Sequence, residues 1–177
     1  MQNINFNRMM IKRPEAANST NSANSRTAIF YINDVHGQLP KMESLVSASD
    51  RFERSYKGSD CFKVSAGDMN IGKDPGKNNL ITHFLNMINI DAAAIGNHEF
   101  DNGENALAQQ IDRAKFKFIA ANLNSKDGSE LAKRMKSGKI VSSWISEKNG
   151  HKYGFIGAVP IDLAERIEKH DDDDFST

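Results

Sequence analysis

Three short polar clusters carry the residue types that bind divalent metal ions and handle phosphate. They are Asn33-Asp34-Val35-His36-Gly37, Gly67-Asp68-Met69-Asn70 and Gly96-Asn97-His98-Glu99-Phe100-Asp101. A divalent ion takes carboxylate oxygen, imidazole nitrogen and amide oxygen. Asp34 and His36 are two residues apart, so on an extended backbone both face one side and can bind one ion. Asp68 would bridge that ion to a second, to which Asn97 supplies a neutral carbonyl oxygen. Two ions about 3.5–4 Å apart clamp a phosphoryl group and acidify a bridging water. His98 has Asp101 three residues on. A carboxylate near an imidazole fixes its tautomer and favours the imidazolium, so His98 would stabilise phosphoryl oxygens or protonate a leaving oxygen. The glycines let backbone pass close to ions and substrate. Glu99 reads more blandly, as a favourable charge near a helix N-terminus.

Clusters of this kind need strands to carry them, because α/β sheets place ligands at the C-terminal ends of their strands. Ala28–Ile32 is an apolar run that predicts a buried strand. A helix is predicted after Pro40, with Met42, Leu45, Val46 and Phe52 on one face. Cys61–Val64 predicts a second strand, Asn78–Asn89 a second helix and Ala92–Ile95 a short third strand. Asn105–Ala114 predicts a third helix and Phe116–Ala121 a fourth strand. This rhythm is that of an α/β layered fold. Further on, Lys139–Lys148 and His151–Val159 flank Asn149-Gly150, a strong hairpin signal, and a short helix is predicted at Leu163–Lys169. Residues 1–26 read as a disordered polar leader, and Asp171–Asp174 as part of a solvated acidic tail, 171–177. The folded region is expected over 27–170.

Taken in order, Asp-x-His-Gly, Gly-Asp and Gly-Asn-His-Glu resemble the signature of the calcineurin-like metallophosphoesterases, over about Thr27 to Val159. The wording of 33–37 and 96–103, together with Ala120-Ala121-Asn122-Leu123, is similar to the 5′-nucleotidase and 2′,3′-cyclic-nucleotide phosphodiesterase branch. Protein Ser/Thr phosphatases carry Gly-Asp-x-Val-Asp-Arg-Gly where this sequence has Gly67-Asp68-Met69-Asn70-Ile71-Gly72. The resemblance implies an α/β fold, a layered metallophosphoesterase-type sheet with flanking helices, present as an incomplete half-domain ending in a β-hairpin. It implies Asp34, His36, Asp68 and Asn97 as metal ligands and His98 with Asp101 as the catalytic pair. The implied cofactors are two divalent ions among manganese, zinc, iron and magnesium. The implied reaction is hydrolysis of nucleotide phosphoesters by a two-metal-activated hydroxide. The family's later histidines, in a Gly-His-x-His-like context, have no counterpart after Asn122. His151 and His170 match no family pattern, and the family's C-terminal nucleoside-binding domain is not represented. The alternative expectation is therefore a catalytically incomplete fragment or remnant that binds metal or a partner chain without turnover. A missing C-terminal half or a partner chain would complete the site.

Composition narrows the partners. With 23 acidic and 23 basic residues in 177, formal net charge is zero, which gives no electrostatic case for nucleic acid or an anionic membrane. A small-molecule nucleotide or phosphate ester remains, because a metal supplies positive charge locally. One cysteine, Cys61, allows no intrachain disulfide. No apolar run suits a bilayer span or a secretory signal, so the expected localisation is cytoplasmic. Two decoys are set aside. Gly67–Lys73 mimics a phosphate-binding P-loop, but Asp74 stands where Ser or Thr is needed, and Pro75 is read as disrupting the following helix. His83 reads as a packed or edge histidine on the second helix, and Trp144 with the hairpin aromatics as packing against the sheet.

Overall fold

The computed structural model describes residues 26–170 and 175–177. The polar stretch 1–25 and the acidic run Asp171–Asp174 lie outside them. Strands and helices alternate as the apolar periodicity predicts. β1 (Thr27–Ile32) leads through a short 3-10 turn to α1 (Met42–Ser55), then β2 (Asp60–Ser65), α2 (Pro75–Met87) and β3 (Ala92–Ala94). Next come α3 (Gly103–Arg113), β4 (Lys117–Ile119), β5 (Asn124–Ser125), α4 (Glu130–Lys136) and β6 (Ile140–Val141). The chain finishes with β7 (Ser143–Lys148), β8 (His151–Ile156), α5 (Leu163–Arg166) and β9 (Phe175–Ser176).

Five strands form one parallel sheet in the order β1-β2-β3-β4-β6. All their C-terminal ends therefore lie on one rim. Adjacent residues of β2 show what covers each face, since strand side chains alternate. Lys63 reaches Ser49 of α1 and the carbonyl of Ile88 after α2, at 2.9 and 2.5 Å. Its neighbour Phe62 points the other way, edge-on to Tyr153 and Phe155 of β8. Helices thus cover one face, and the β7–β8 hairpin packs on the other. Trp144 stacks on Phe155 at 5.1 Å, as the aromatic pattern suggests. Buried Ile81, Leu85, Phe100, Leu107 and Ile111 build the core between sheet and helices.

The structure departs from the sequence reading in particular places. β1 is an edge strand, and alternation leaves Ile29 53% and Tyr31 71% exposed on the hairpin face, so the apolar run is only half-buried. Pro75 does not disrupt α2. It opens the helix at its first turn, where its missing N–H costs nothing, and the Asp74 side chain accepts from the Lys77 N–H at 3.1 Å as the cap. Ile140–Val141 does not belong to the hairpin but pairs with β4 in the parallel sheet. α4 was not legible as a helix, although Ser129 caps it by accepting from the Ala132 N–H at 3.1 Å. Beyond the hairpin, β9 returns to pair with β5, and Phe175 packs on Phe100 at 4.4 Å.

Candidate metal centre

The loops leaving β1, β2 and β3 meet at the C-terminal rim, and their backbones are laced together. The Asp34, His36 and Gly37 N–H groups donate to the carbonyls of Gly67, Asp68 and Met69, at 3.2, 3.1 and 2.8 Å. Asp34, His36 and Asp68 all adopt left-handed backbone, with φ of 52°, 49° and 53°. Asp and His are among the few non-glycine types that visit this region, at a cost of about 1 kcal/mol each. The left-handed turn, rather than the extended alternation expected from sequence, brings Asp34 and His36 to one side. The ligand atoms of Asp34, His36 and Asp68 lie within 4.8 Å of one another.

Glu99 holds this arrangement from beneath. It is 4% exposed and its carboxylate accepts from four backbone N–H groups: Gly96 at 2.7 Å, Met69 at 2.8 Å, Asp68 at 2.9 Å and Asn70 at 3.2 Å. Burial pushes its pKa up, while the Gly96, Asp68 and Asn70 N–H groups pull the other way. The reading of Glu99 as a charge favouring a helix N-terminus is therefore corrected: it joins the second cluster to the third. The signal in sequence was an acid lying between the strand-end Gly96 and the apolar Phe100. Space is equally tight. A Cβ on Gly96 would lie 2.2 Å from Asp68 Oδ1, and one on Gly67 2.8 Å from the Gly96 nitrogen.

His98 stands beside this group, its ring edge-on to His36 with centroids 4.9 Å apart. Its backbone N–H donates to Asp68 Oδ1 at 3.1 Å. Its Nδ1 lies 3.0 Å from Asp101 Oδ2, which also accepts from the Gly72 N–H at 2.6 Å. A carboxylate can only accept there, so Nδ1 is the donor in that bond. Asn97 sits between Gly96 and His98, both bonded into the Glu99–Asp68 network, and starts the 3-10 turn His98–Phe100. The structure thus brings Asp34, His36, Asp68, His98 and Asp101 together and sets Asn97 on the same loop. His83 is exposed on α2, against the edge of Phe84. His151 lies at the opposite end of the sheet, 3.0 Å from Asp60.

The donor set fits a divalent cation. His36 Nε2 is buried without a hydrogen-bond partner, 3.5 Å from Asp34 Oδ1. An unsatisfied imidazole nitrogen beside two carboxylates is what an ion would satisfy. Among the described residues, no other group of three or more His, Cys, Asp or Glu side chains converges this way.

In fold the chain matches the calcineurin-like phosphoesterase YfkN from Bacillus subtilis, at a TM-score of 0.55 and 21% identity over 77% of this chain and 49% of that one. The NAD nucleotidase NadN of Haemophilus influenzae superposes with a TM-score of 0.70 and 19% identity, covering 84% of this chain and 29% of that structure. In sequence it is 35% identical over 154 residues to protein UshA of Salmonella pullorum, which is 79% of this chain and 26% of that relative. It is 28% identical over 184 residues to the snake venom 5′-nucleotidase of Naja atra, 81% of this chain and 33% of that one. No protein-family model matches the chain. The chain is a homologue of the UshA and 5′-nucleotidase proteins, and its fold is shared with a calcineurin-like phosphoesterase. It spans about a quarter to a third of the length of these curated relatives.

Proposed function

We propose that this chain supplies the first half of a two-ion phosphoesterase site that hydrolyses nucleotide phosphoesters. The observation that carries the reading is the convergence of Asp34, His36 and Asp68 within 4.8 Å beside the His98–Asp101 pair. Asp34 and His36 would hold one ion, Asp68 would face both ions, and the Asn97 amide would serve the second. Bound divalent ions neutralise phosphoryl charge and lower the pKa of water. The protein side does the rest. Asp101 fixes the His98 tautomer, so that Nε2 faces outward as a proton donor to the leaving oxygen or a charge against the phosphoryl group. Glu99 keeps Asp68 aimed at the rim. Nucleotides are the proposed substrates because the snake venom 5′-nucleotidase and the NAD nucleotidase are named for them.

The test is turnover of nucleoside monophosphates and cyclic nucleotides, with manganese, by the full-length gene product. Asp68→Ala and His98→Ala should each lower kcat/KM by about a hundredfold or more. Unchanged turnover in both would remove the assignment. A second reading concerns the 177-residue chain alone. The described residues converge one group of three ligand side chains, which favours weak binding of a single ion without turnover. Metal stoichiometry measured beside an activity assay separates the two, and robust hydrolysis by this chain excludes the second.

A further inference from the structure

At the end of the sheet away from the metal centre, Asp60 at the start of β2 gathers three donors from the turn end of the hairpin, beside the Phe62 ring contacts and the Lys148 bond to the Cys61 carbonyl. Asp60 is 0% exposed and accepts from Asn149 Nδ2 at 2.5 Å, Tyr153 Oη at 2.5 Å and His151 Nδ1 at 3.0 Å. Asn149 and Gly150 form the two-residue turn, both left-handed with φ of 49° and 80°, and both are exposed to water. An Asn-Gly pair is chemically weak, because glycine has no side chain to keep its nitrogen away from the preceding amide. We propose that Asn149 is a site of spontaneous deamidation, and that its product carboxylate is repelled by buried Asp60 and loosens the turn end of the hairpin on the sheet.

The step balances with water alone. The Gly150 nitrogen attacks Asn149 Cγ, the Cγ–Nδ2 bond breaks and ammonia leaves. Water then opens the cyclic imide at either carbonyl, giving aspartate or isoaspartate. Aspartate replaces a donor by a negative charge at hydrogen-bond distance from the Asp60 carboxylate, where two like charges cannot both stay ionised without cost, and isoaspartate carries the same charge on a lengthened backbone that loses the Asn149 bond. The molecule contains its own comparison. Asn102-Gly103 is the same dipeptide, but Gly103 is buried at the start of α3 and Asn102 donates to the Gly72 carbonyl at 3.0 Å. Both side-chain amides are hydrogen-bonded, so the contrast lies in the attacking nitrogen: Gly103 is buried at the head of a helix, whereas Gly150 is exposed in a turn.

The folded 177-residue chain is incubated in warm, mildly alkaline buffer and digested with trypsin. The peptide Asn149–Lys152 should gain the mass difference between amide and acid well before the peptide carrying Asn102 does. Equal or reversed rates overturn the site. The consequence is read from Asn149→Asp and Asn149→Gly, the second of which removes the hydrogen bond without adding charge and tolerates the left-handed turn. Trp144, the single tryptophan, stacks in the hairpin and reports its loosening. Asn149→Asp should lower the thermal midpoint by about 5 °C beyond Asn149→Gly and shift Trp144 emission to longer wavelength. If the two variants match each other in both readouts, repulsion by Asp60 is excluded.

Discussion

Glu99 and Asp60 are both buried carboxylates, one at each end of the parallel sheet, and they differ in what they accept from. Glu99 takes four backbone N–H groups that belong to two loops and have nowhere else to turn. Asp60 takes three side-chain donors from the hairpin, two of them on exposed residues that can turn to water. Their acidities shift in opposite directions. Burial dominates at Glu99 and raises its pKa, whereas the Tyr153 hydroxyl dominates at Asp60 and lowers it. A carboxylate satisfied by backbone fixes the path of the chain; one satisfied by side chains fastens one element to another and can be released.

The largest effect is expected at Glu99. Glu99→Ala leaves four backbone donors short of an acceptor, each worth about 1 kcal/mol or more, and should cost about 3–5 kcal/mol in urea unfolding. Manganese affinity measured by calorimetry should fall about 10–100-fold, as for other groups that orient a ligand. Asp60→Ala should destabilise less than Glu99→Ala and leave manganese affinity unchanged; a similar loss of affinity in both would erase the contrast. Gly96→Ala is the sharper probe of the rim, since its Cβ would displace Asp68 Oδ1 from a 2.2 Å approach. Manganese binding should weaken about tenfold or more, and stability should fall as well, because the Cβ would also lie 2.6 Å from the Asp68 backbone nitrogen.

Acid tests the other end. The folded pKa of Asp60 lies below its unfolded value, so its contribution is present above about pH 4 and disappears as pH falls through the folded value. The stability gap between the parent and Asp60→Asn should therefore close on acidification below about pH 4, as followed by urea midpoints. A gap that widens there would show that Asp60 is not held ionised by the hairpin donors. The smallest effect is expected at His83, exposed on α2 and remote from both carboxylates. His83→Ala should change stability by less than about 0.5 kcal/mol and leave metal binding intact.

Much of the fold was legible because its signals are local. Apolar runs ending in Gly, Asp and His gave β1, β2 and β3, helical spacing gave α1 to α3, and Asn149-Gly150 gave the hairpin. The clustering of Asp34, His36, Asp68 and His98 was legible through motif order at strand ends. The rest depends on which strand neighbours which. The exposure of Ile29 and Tyr31 follows from β1 lying at the edge, and strand order is not written in an apolar run. Glu99 could not be placed because its partners, residues 68 to 70, are about thirty positions away in sequence. The seven-residue α4 offers too few turns for periodicity to register.

The left-handed turns at Asp34, His36 and Asp68 would tie the capture of an ion to the folded state. Each conformation is uphill for its residue by about 1 kcal/mol, so a relaxed chain would seldom present all three side chains at once. Any cation seated among them selects the native ensemble and shifts the melting curve upward as its concentration rises. Thermal denaturation with and without manganese therefore gauges occupancy at this rim even when no substrate is turned over.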